Sequence, residues 1–263
     1  MNNRARIIVA PNGARKQKHD HPAVPISIAE VVASAAACHA AGADGIHAHV
    51  RGTEGEHLLD AGPYRELLDE LARQLPDMQV QITTEAVGRY TPAEQRAVVR
   101  AVAPQAFSAA LKELLPEGED SRETTALYAW AREAGAEVQH ILYSPEEVAR
   151  FAALLAQGVI PALRRHQLLF VLGRYAKDLQ SDPATLDPFL QQLAASGLDQ
   201  RCDWMVCAFG RGETAALAAA LERGGHARVG FENSLWHADG SLARDNAERV
   251  AVIAQLASTL GRR

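Results

Sequence analysis

Residues 45–51 read Gly-Ile-His-Ala-His-Val-Arg, and their alternation of apolar and polar side chains predicts a β-strand over residues 44–50. Because successive side chains of a strand point to opposite faces, His47 and His49 lie on one face and the apolar residues around them on the other. The two histidines are then roughly 7 Å apart at the backbone, so their imidazoles can converge on one metal ion. Neutral imidazole is a favoured ligand of zinc and similar divalent metals. The stretch therefore predicts two ligands of a metal site, with a third ligand from elsewhere in the chain.

This strand is one of eight, because strand-like and amphipathic helical segments alternate along the whole chain. The predicted strands cover residues 5–10, 44–50, 79–84, 106–110, 136–142, 167–172, 202–208 and 226–232. The predicted helices cover residues 27–41, 62–74, 92–102, 121–134, 145–157, 183–196, 212–223 and 243–260. Three helices begin with the capping-box pattern of Ser or Thr followed three residues later by Glu, at residues 27–30, 91–94 and 144–147. Eight βα units of about 33 residues predict an α/β fold, a (β/α)8 TIM barrel that occupies residues 1–263 as a single domain.

Composition places the chain among soluble globular proteins, since 48% of its 263 residues are hydrophobic and 22% are charged. A net charge of −5 disfavours nucleic acid as a partner. No apolar run approaches the roughly 20 residues of a membrane span, and residues 1–4 lead into the first strand without a signal-peptide core. We therefore expect a cytoplasmic protein with no membrane partner. The three cysteines, Cys38, Cys202 and Cys207, are expected to be buried and unpaired.

A barrel places its chemistry at the C-terminal ends of its strands. His47 and His49 close the second predicted strand, Glu85 follows the third, and Glu232 closes the eighth. The two histidines with either Glu232 or Glu85 form a two-histidine, one-carboxylate site with an open position, which is typical of catalytic metal centres. A salt bridge to a nearby arginine is the alternative role for either glutamate.

A set of cations follows the same strand ends. Its members are Arg15, Lys16, Arg51, Arg89, Lys112, Arg174 and Arg211. Because the whole chain is acidic, a basic ring around the barrel mouth favours an anionic substrate through its local potential.

Five segments together resemble the β-keto acid cleavage enzyme family. They are residues 10–16 (Ala-Pro-Asn-Gly-Ala-Arg-Lys), 20–26 (Asp-His-Pro-Ala-Val-Pro-Ile), 46–51 (Ile-His-Ala-His-Val-Arg), 81–85 (Gln-Ile-Thr-Thr-Glu) and 228–233 (Arg-Val-Gly-Phe-Glu-Asn). The resemblance implies a zinc-dependent barrel enzyme, usually a homo-oligomer and often a tetramer. It also implies a reaction in which a β-keto acid and acetyl-CoA give acetoacetate and the CoA thioester of the remaining acyl fragment.

The resemblance assigns roles to individual residues. The zinc ligands fall on His47, His49 and Glu232. Arg228 falls on an arginine of the catalytic machinery, and the predicted strand lets its guanidinium run up the barrel interior toward the metal. Asn233 stands where many members have an aspartate paired with that arginine. Because an amide cannot act as a base, Glu85 or another group takes that role here, or position 233 only orients its neighbours.

The resemblance also bears on the substrate. Thr83 falls near the substrate carboxylate, and Asn12 and Arg15 are expected at the substrate as well. Arg15 stands where the members that cleave an amino-bearing keto acid have a glutamate for the ammonium group. Gln139 and His140 in the fifth strand also differ from the acidic residues of those members. We therefore expect a β-keto acid whose far end is neutral or carries a second carboxylate.

Two other classes of protein use similar elements. A metal-dependent aldolase or a hydrolase of the amidohydrolase type also combines a barrel with metal ligands, but in the amidohydrolases His-x-His closes the first strand and an aspartate the eighth. Here the pair closes the second strand and Glu232 the eighth. A metal-stabilised binding barrel is the third class, and it predicts a closed site with four protein ligands.

Overall fold

Eight parallel strands close into a barrel in the computed structural model, which describes residues 4–176 and 180–263. The barrel strands are β1 (Ile7–Val9), β2 (Gly45–Ala48), β5 (Gln79–Ile82), β6 (Ala106–Ala110), β7 (Glu137–Leu142), β8 (His166–Leu172), β9 (Cys202–Ala208) and β10 (His226–Val229). β10 pairs with β1 and completes the ring. The predicted (β/α)8 fold is confirmed. The predicted single domain over residues 1–263 includes residues 1–3 and 177–179, which lie outside the described residues.

Two predicted strands are too long at their C-terminal ends. β2 ends at Ala48, and the next residues form β3 (Val50–Arg51), which pairs antiparallel with β4 (His57–Leu58) in a separate hairpin. β10 ends at Val229 because the chain turns at Gly230, where φ is +138°. His49 and Glu232, which the predicted strands include, therefore lie just beyond the ends of β2 and β10. Both remain at the barrel mouth.

Helices cover the outside of the barrel. They are α1 (Ile28–Ala40), α2 (Ala61–Gln74), α3 (Pro92–Val102), α4 (Leu111–Leu114), α5 (Arg122–Ala134), α6 (Pro145–Ala156), α7 (Leu186–Ala195), α8 (Glu213–Glu222) and α9 (Asn246–Thr259). Short 3₁₀ turns over Pro183–Thr185 and Gly210–Gly212 precede α7 and α8 and account for the longer predicted helices there. The short α4 is absent from the prediction. Within the described residues, no helix combines the length and apolarity needed to span a bilayer.

The capping boxes at Ser27 and Thr91 form as predicted. At Ser144 only half of the box forms: its side chain accepts a hydrogen bond from the Glu147 amide, whereas the Glu147 carboxylate accepts one from the amide of Tyr143. The Glu147 side chain therefore links the start of α6 to the residue after β7 and does not complete a capping box.

Apolar side chains form an outer layer between strands and helices and a smaller cluster inside the barrel. Cys38 and Cys202 lie in the outer layer and Cys207 in the inner cluster, all three buried and free, as expected. At the N-terminal end of the barrel the interior is polar, because Arg6 reaches inward and donates to Gln167 at 2.6 Å. The C-terminal mouth is the end at which barrels of this kind carry their sites.

Candidate metal centre and active site

The side chains of His47, His49 and Glu232 converge at the barrel mouth. Nε2 of His47 is 3.2 Å from Nε2 of His49, and the Oε2 atom of Glu232 is 3.7 Å and 3.4 Å from these two nitrogens. Both histidines are 1% exposed. A tetrahedral zinc ion with bonds of about 2.0–2.2 Å separates its ligand atoms by roughly 3.3–3.6 Å, so the spacing suits one such ion.

The protonation states of these groups also suit a metal. Burial and the charge of Arg228 hold the pKa of His47 well below its usual value. Burial alone would raise the pKa of Glu232, but Arg228 and the two imidazoles lower it well below its usual value. The buried Oε2 atom of Glu232 has no hydrogen-bond partner among the described residues. An ionised carboxylate oxygen that faces two imidazole nitrogens is a donor set that fits a divalent cation.

Two glycines allow Glu232 to reach this position. A Cβ atom at Gly230 would lie 2.5 Å from the carbonyl oxygen of Ala10, and one at Gly13 would lie 2.5 Å from Cγ of Glu232. The backbone amide that follows Gly230 donates to Oδ1 of Asn246, and the amide of Glu232 donates to Ala10. The turn after β10 is thus held from both sides, and its direction depends on a conformation that only glycine adopts freely.

Arg228 of β10 pairs with the other oxygen of the same carboxylate. Its Nη2 atom is 2.8 Å from Oε1 of Glu232, and its side chain is 4% exposed. One oxygen of Glu232 therefore pairs with an arginine while the other faces the two histidines. The Nε and Nη1 atoms of Arg228 have no hydrogen-bond partner among the described residues. The same guanidinium also lines the cavity, so it can donate to a bound anion.

A cavity of about 290 Å³ opens over the three candidate ligands, which form part of its wall. On the side of β6 to β9 the wall is apolar and includes Ala110, Ile141, Val171 and Phe209. The charged side chains of the wall are Arg15, Lys16, Arg174, Arg228, Asp20, Glu85, Glu113 and Glu232. These four cations and four carboxylates balance formally, so a bound divalent cation would make the site net positive.

Besides Arg228, four residues predicted at the substrate or in catalysis line this cavity, namely Thr83, Asn12, Arg15 and Glu85. The Oγ1 atom of Thr83 accepts from the amide of Glu85 at 3.0 Å, which leaves its hydroxyl hydrogen available to a ligand. Asn12 donates to the carbonyls of Pro25 and His49, both at 3.1 Å, and so fixes the backbone beside a candidate ligand. Its buried Oδ1 atom has no partner among the described residues.

Asn233 is buried but does not belong to the cavity wall. Its backbone carbonyl accepts from the amide of Gly210, and both of its side-chain amide atoms lack hydrogen-bond partners among the described residues. It lies one residue beyond Glu232 in the chain.

The predicted ring of seven cations is wrong in part. Arg15, Lys16 and Arg174 line the cavity. Arg51 is instead buried among carbonyl groups and donates to Gly13 at 2.8 Å, so it holds the loop after β1. The remaining members turn to aromatic rings: Arg89 to Tyr90, Lys112 to Tyr143 and Tyr175, and Arg211 to Trp236. Position after a strand places a residue at the mouth, but it does not determine where a long side chain points.

Among the cavity residues that sequence reasoning did not assign to the site are Glu113 and Tyr143. Glu113 lies in α4, its Oε2 atom accepts from the amide of Ala86, and burial together with nearby Glu85 raises its pKa. Burial raises the pKa of Tyr143 well above its usual value, so the phenol stays protonated. The sequence could have indicated Glu113, because this carboxylate directly follows Lys112 just beyond the predicted strand 106–110, where barrel sites are found.

The sequence model of the beta-keto acid cleavage enzymes matches residues 4–263. The chain belongs to the β-keto acid cleavage enzyme family. A 3-keto-5-aminohexanoate cleavage enzyme from Fusobacterium nucleatum subsp. nucleatum is 27% identical over 97% of this chain and 92% of its own length. A 3-oxoadipate:acetyl-CoA acetyltransferase from Cupriavidus necator is 26% identical over 97% of this chain and 89% of its own length. Family membership favours cleavage of a β-keto acid over the hydrolase and the binding barrel.

Solved structures support the fold. ObcA in complex with oxaloacetate superimposes with a TM-score of 0.74 at 15% identity, over 91% of this chain and 64% of the ObcA chain. The 3-dehydroquinate dehydratase of Geobacillus kaustophilus superimposes with a TM-score of 0.61 at 11% identity, over 97% of this chain and 91% of its own. This member of the β-keto acid cleavage enzyme family therefore shares its barrel with a 3-dehydroquinate dehydratase, and its chemistry has to be argued from the site.

Proposed function

We propose that this chain is a zinc-dependent enzyme that converts a β-keto acid and acetyl-CoA into acetoacetate and a new acyl-CoA. The observation that carries the proposal is the group of His47, His49 and Glu232 in the wall of one cavity, with Arg228 paired to the carboxylate. Acetyl-CoA as co-substrate is supported by the name of the Cupriavidus necator relative.

The three side chains of this group would hold the metal, since they offer two imidazole nitrogens and one carboxylate oxygen within 4.8 Å of one another. When bound, a zinc-class ion supplies Lewis acidity that polarises the keto oxygen and stabilises enolate charge. The Nε and Nη1 atoms of Arg228, which do not pair with Glu232, add hydrogen-bond donors beside the keto oxygen.

The reaction balances without an oxidant or reductant. A base removes a proton from C2 of the keto acid, C2 attacks the acetyl carbonyl of acetyl-CoA, and the CoA thiolate leaves. The thiolate then attacks C3, the bond between C2 and C3 breaks, and the released acetoacetate takes a proton back at C2. The products are acetoacetate and the CoA thioester of the remaining acyl group.

Glu85 is our candidate for the base that moves this proton. Its carboxylate lines the cavity and has no hydrogen bond or ion pair within residues 4–176 and 180–263. Asn233 cannot accept a proton and lies outside the cavity wall, so we assign it an orienting role in the turn that carries Glu232.

Thr83, Asn12 and Arg15 are assigned to the substrate. The Thr83 hydroxyl is placed to donate to the carboxylate next to C2, and Asn12 supports the wall beside His49. Arg15 is exposed at the rim and has no hydrogen bond or ion pair to another described residue. A second carboxylate at the far end of the substrate can therefore pair with it, whereas an ammonium group is repelled. The apolar wall suits the carbon chain between these ends.

A cytoplasmic homo-oligomer, often a tetramer in this family, remains our expectation from the sequence. Size-exclusion chromatography with light scattering measures the subunit count.

Formation of acyl-CoA from a panel of β-keto acids and acetyl-CoA tests the proposed reaction, with His49→Ala as the inactive control. Coupled release of acetoacetate and acyl-CoA in equal amounts supports it. Consumption of the keto acid at the same rate without acetyl-CoA, with release of a free acid, contradicts it and favours the hydrolase.

A further inference from the structure

Each candidate histidine ligand uses its second ring nitrogen in a hydrogen-bonded chain. Nδ1 of His47 is 2.8 Å from Oε1 of Gln81. The Nε2 atom of Gln81 donates to Oε1 of Gln139 at 3.4 Å, and the Nε2 atom of Gln139 donates to the sulfur of Met205 at 3.8 Å. A thioether has no hydrogen to donate, so both amides are oriented with their NH₂ groups toward Met205. Oε1 of Gln81 must then accept from His47, which places the proton of His47 on Nδ1 and the lone pair on Nε2.

A second chain reaches His49 from the β3–β4 hairpin. Nε2 of His57 is 2.9 Å from the backbone carbonyl of Glu85, and Nδ1 of His57 is 3.4 Å from Nδ1 of His49. A carbonyl only accepts, so Nε2 of His57 carries a hydrogen. The Nδ1 atom of neutral His57 is then an acceptor and takes the hydrogen of Nδ1 in His49. The lone pair of His49 is thereby left on Nε2, toward Glu232.

We infer that His57 and Gln81 are positioning residues that hold the two histidine ligands in the Nδ1–H tautomer. Both Nε2 lone pairs then face the Oε2 atom of Glu232 with no proton among the three atoms. This inference rests on the proposed metal centre and adds two residues that act through His49 and His47. His57 and Gln81 are 5% and 6% exposed, so water does not readily replace either contact.

The hairpin explains how His57 reaches this place. β4 begins at His57, its ring centroid is 5.0 Å from that of His49, and the hydroxyl of Tyr90 donates to its backbone carbonyl at 3.3 Å. The hairpin lies outside the barrel sheet. Its contribution to the site is an imidazole that accepts from one metal ligand while it donates to the loop after β5.

Loss of such a contact lowers metal affinity because the ligand spends less time in the tautomer and ring orientation that bind. Residues of this kind typically change metal affinity by about 10–100-fold when they are replaced. His57→Phe keeps a ring but removes the acceptor, so we expect a loss in that range. His57→Gln supplies an oxygen that accepts from His49 and an amide that donates to Glu85, so we expect it to bind within about threefold of the wild type.

The test is a titration of metal-free protein with Zn²⁺ alone against a chromophoric chelator, repeated with Co²⁺, whose absorption spectrum reports coordination. His140→Phe is the matched control, because His140 is a buried histidine on β7 that packs against Tyr128 and Phe151 away from the site. Circular dichroism establishes that each variant is folded. His57→Phe that binds within threefold of the wild type overturns the inference, and so does His57→Gln that binds as weakly as His57→Phe.

A second measurement reads the tautomers without any variant. Two-bond ¹H–¹⁵N correlations of metal-free, histidine-labelled protein should place the proton of His47 and His49 on Nδ1 and that of His57 on Nε2. A proton on Nε2 of either ligand overturns the inference. If the wild-type protein binds neither Zn²⁺ nor Co²⁺, both the proposed metal centre and the inference about His57 and Gln81 are wrong. If the wild type and His57→Phe bind equally well, only the inference is wrong.

Discussion

Arg15→Glu reverses a charge at the rim of the cavity and should change which keto acids are cleaved. Two unit charges about 4 Å apart interact by roughly 4 kcal/mol at an effective dielectric of 20 and by roughly 1 kcal/mol in water. Arg15 is exposed, and the nearby carboxylate of Glu113, whose pKa is raised by burial despite a small opposing effect of Arg15, partly offsets its charge. Both facts favour the lower interaction energy, roughly 1 kcal/mol. Replacing Arg15 by a glutamate removes this interaction and adds one of opposite sign. The selectivity between a substrate with a charged far end and one with an uncharged far end should therefore shift by about 2 kcal/mol, or roughly thirtyfold.

The assay compares kcat/KM for three substrates of equal chain length: 3-keto-5-aminohexanoate, 3-oxoadipate and 3-oxohexanoate, whose far end is uncharged. Wild type should favour the dicarboxylic or the uncharged acid, and Arg15→Glu should raise the ratio of kcat/KM for the amino substrate to that for the uncharged one about thirtyfold. Arg15→Gln removes the charge without reversing it, so it should give about a fivefold shift. The uncharged substrate controls for general damage to the site.

Two results would refute this reasoning. If the amino substrate is the best of the three for the wild type, the charge of Arg15 does not decide the far end of the substrate. If Arg15→Glu shifts the ratio by less than threefold, the guanidinium points away from the bound substrate.

Four further predictions follow from the same site and its scaffold. Elemental analysis should find about one zinc-class ion per wild-type chain and little in His49→Ala, while Glu232→Gln should lose more metal than Glu85→Gln; near-stoichiometric metal in His49→Ala contradicts the ligand assignment. Arg228→Lys should keep its fold and metal but lose at least about a hundredfold in turnover, because a lysine cannot reproduce the forked donors; turnover within threefold of wild type makes Arg228 a structural ion-pair residue. Gly230→Ala should lower the free energy of unfolding by at least about 2 kcal/mol, since φ is +138° and the new Cβ would lie 2.5 Å from the Ala10 carbonyl; an unchanged denaturation midpoint speaks against strain at this turn. Burial lowers the pKa of His140 to about 3 and that of His166 to about 4, so the unfolded chain binds more protons than the folded one below pH 6.5. The free energy of unfolding should therefore fall from pH 6.5 toward pH 5, and it should fall less steeply in His140→Phe. Equal pH dependence of the two proteins in urea titrations would exclude His140 as a cause.

The barrel was predictable because it depends on local patterns that repeat. Strand and helix periodicities are properties of neighbouring residues, and the order of eight βα units leaves few ways to bury their apolar faces. Predicted strands 106–110 and 202–208 coincide with Ala106–Ala110 and Cys202–Ala208. The β3–β4 hairpin and the short α4 were missed, because a two-residue strand or a four-residue helix is too short to show a period.

The site was predictable where a local rule carries a residue to the mouth. His47 and His49 are two residues apart, so their common direction follows from the extended backbone, and the structure brings their Nε2 atoms to 3.2 Å. The partner of Glu232 was also within reach of the sequence, since Arg228 lies four residues before it and both sit near the end of one strand.

The sequence by itself determined the eight-unit barrel and the shared direction of two histidines, because both follow from residues that are close along the chain. Periodicity left Glu232 and Glu85 open and the family resemblance favoured Glu232, but only the tertiary structure shows why Glu232 joins the histidines, since its position depends on the turn at Gly230 and on the approach of segments far apart in sequence. It also decided that Arg51 holds a loop while Arg15 borders the cavity, and that Glu113 and His57 belong to the site. The direction of a long side chain and the contacts between distant loops depend on packing in three dimensions, which no local periodicity records.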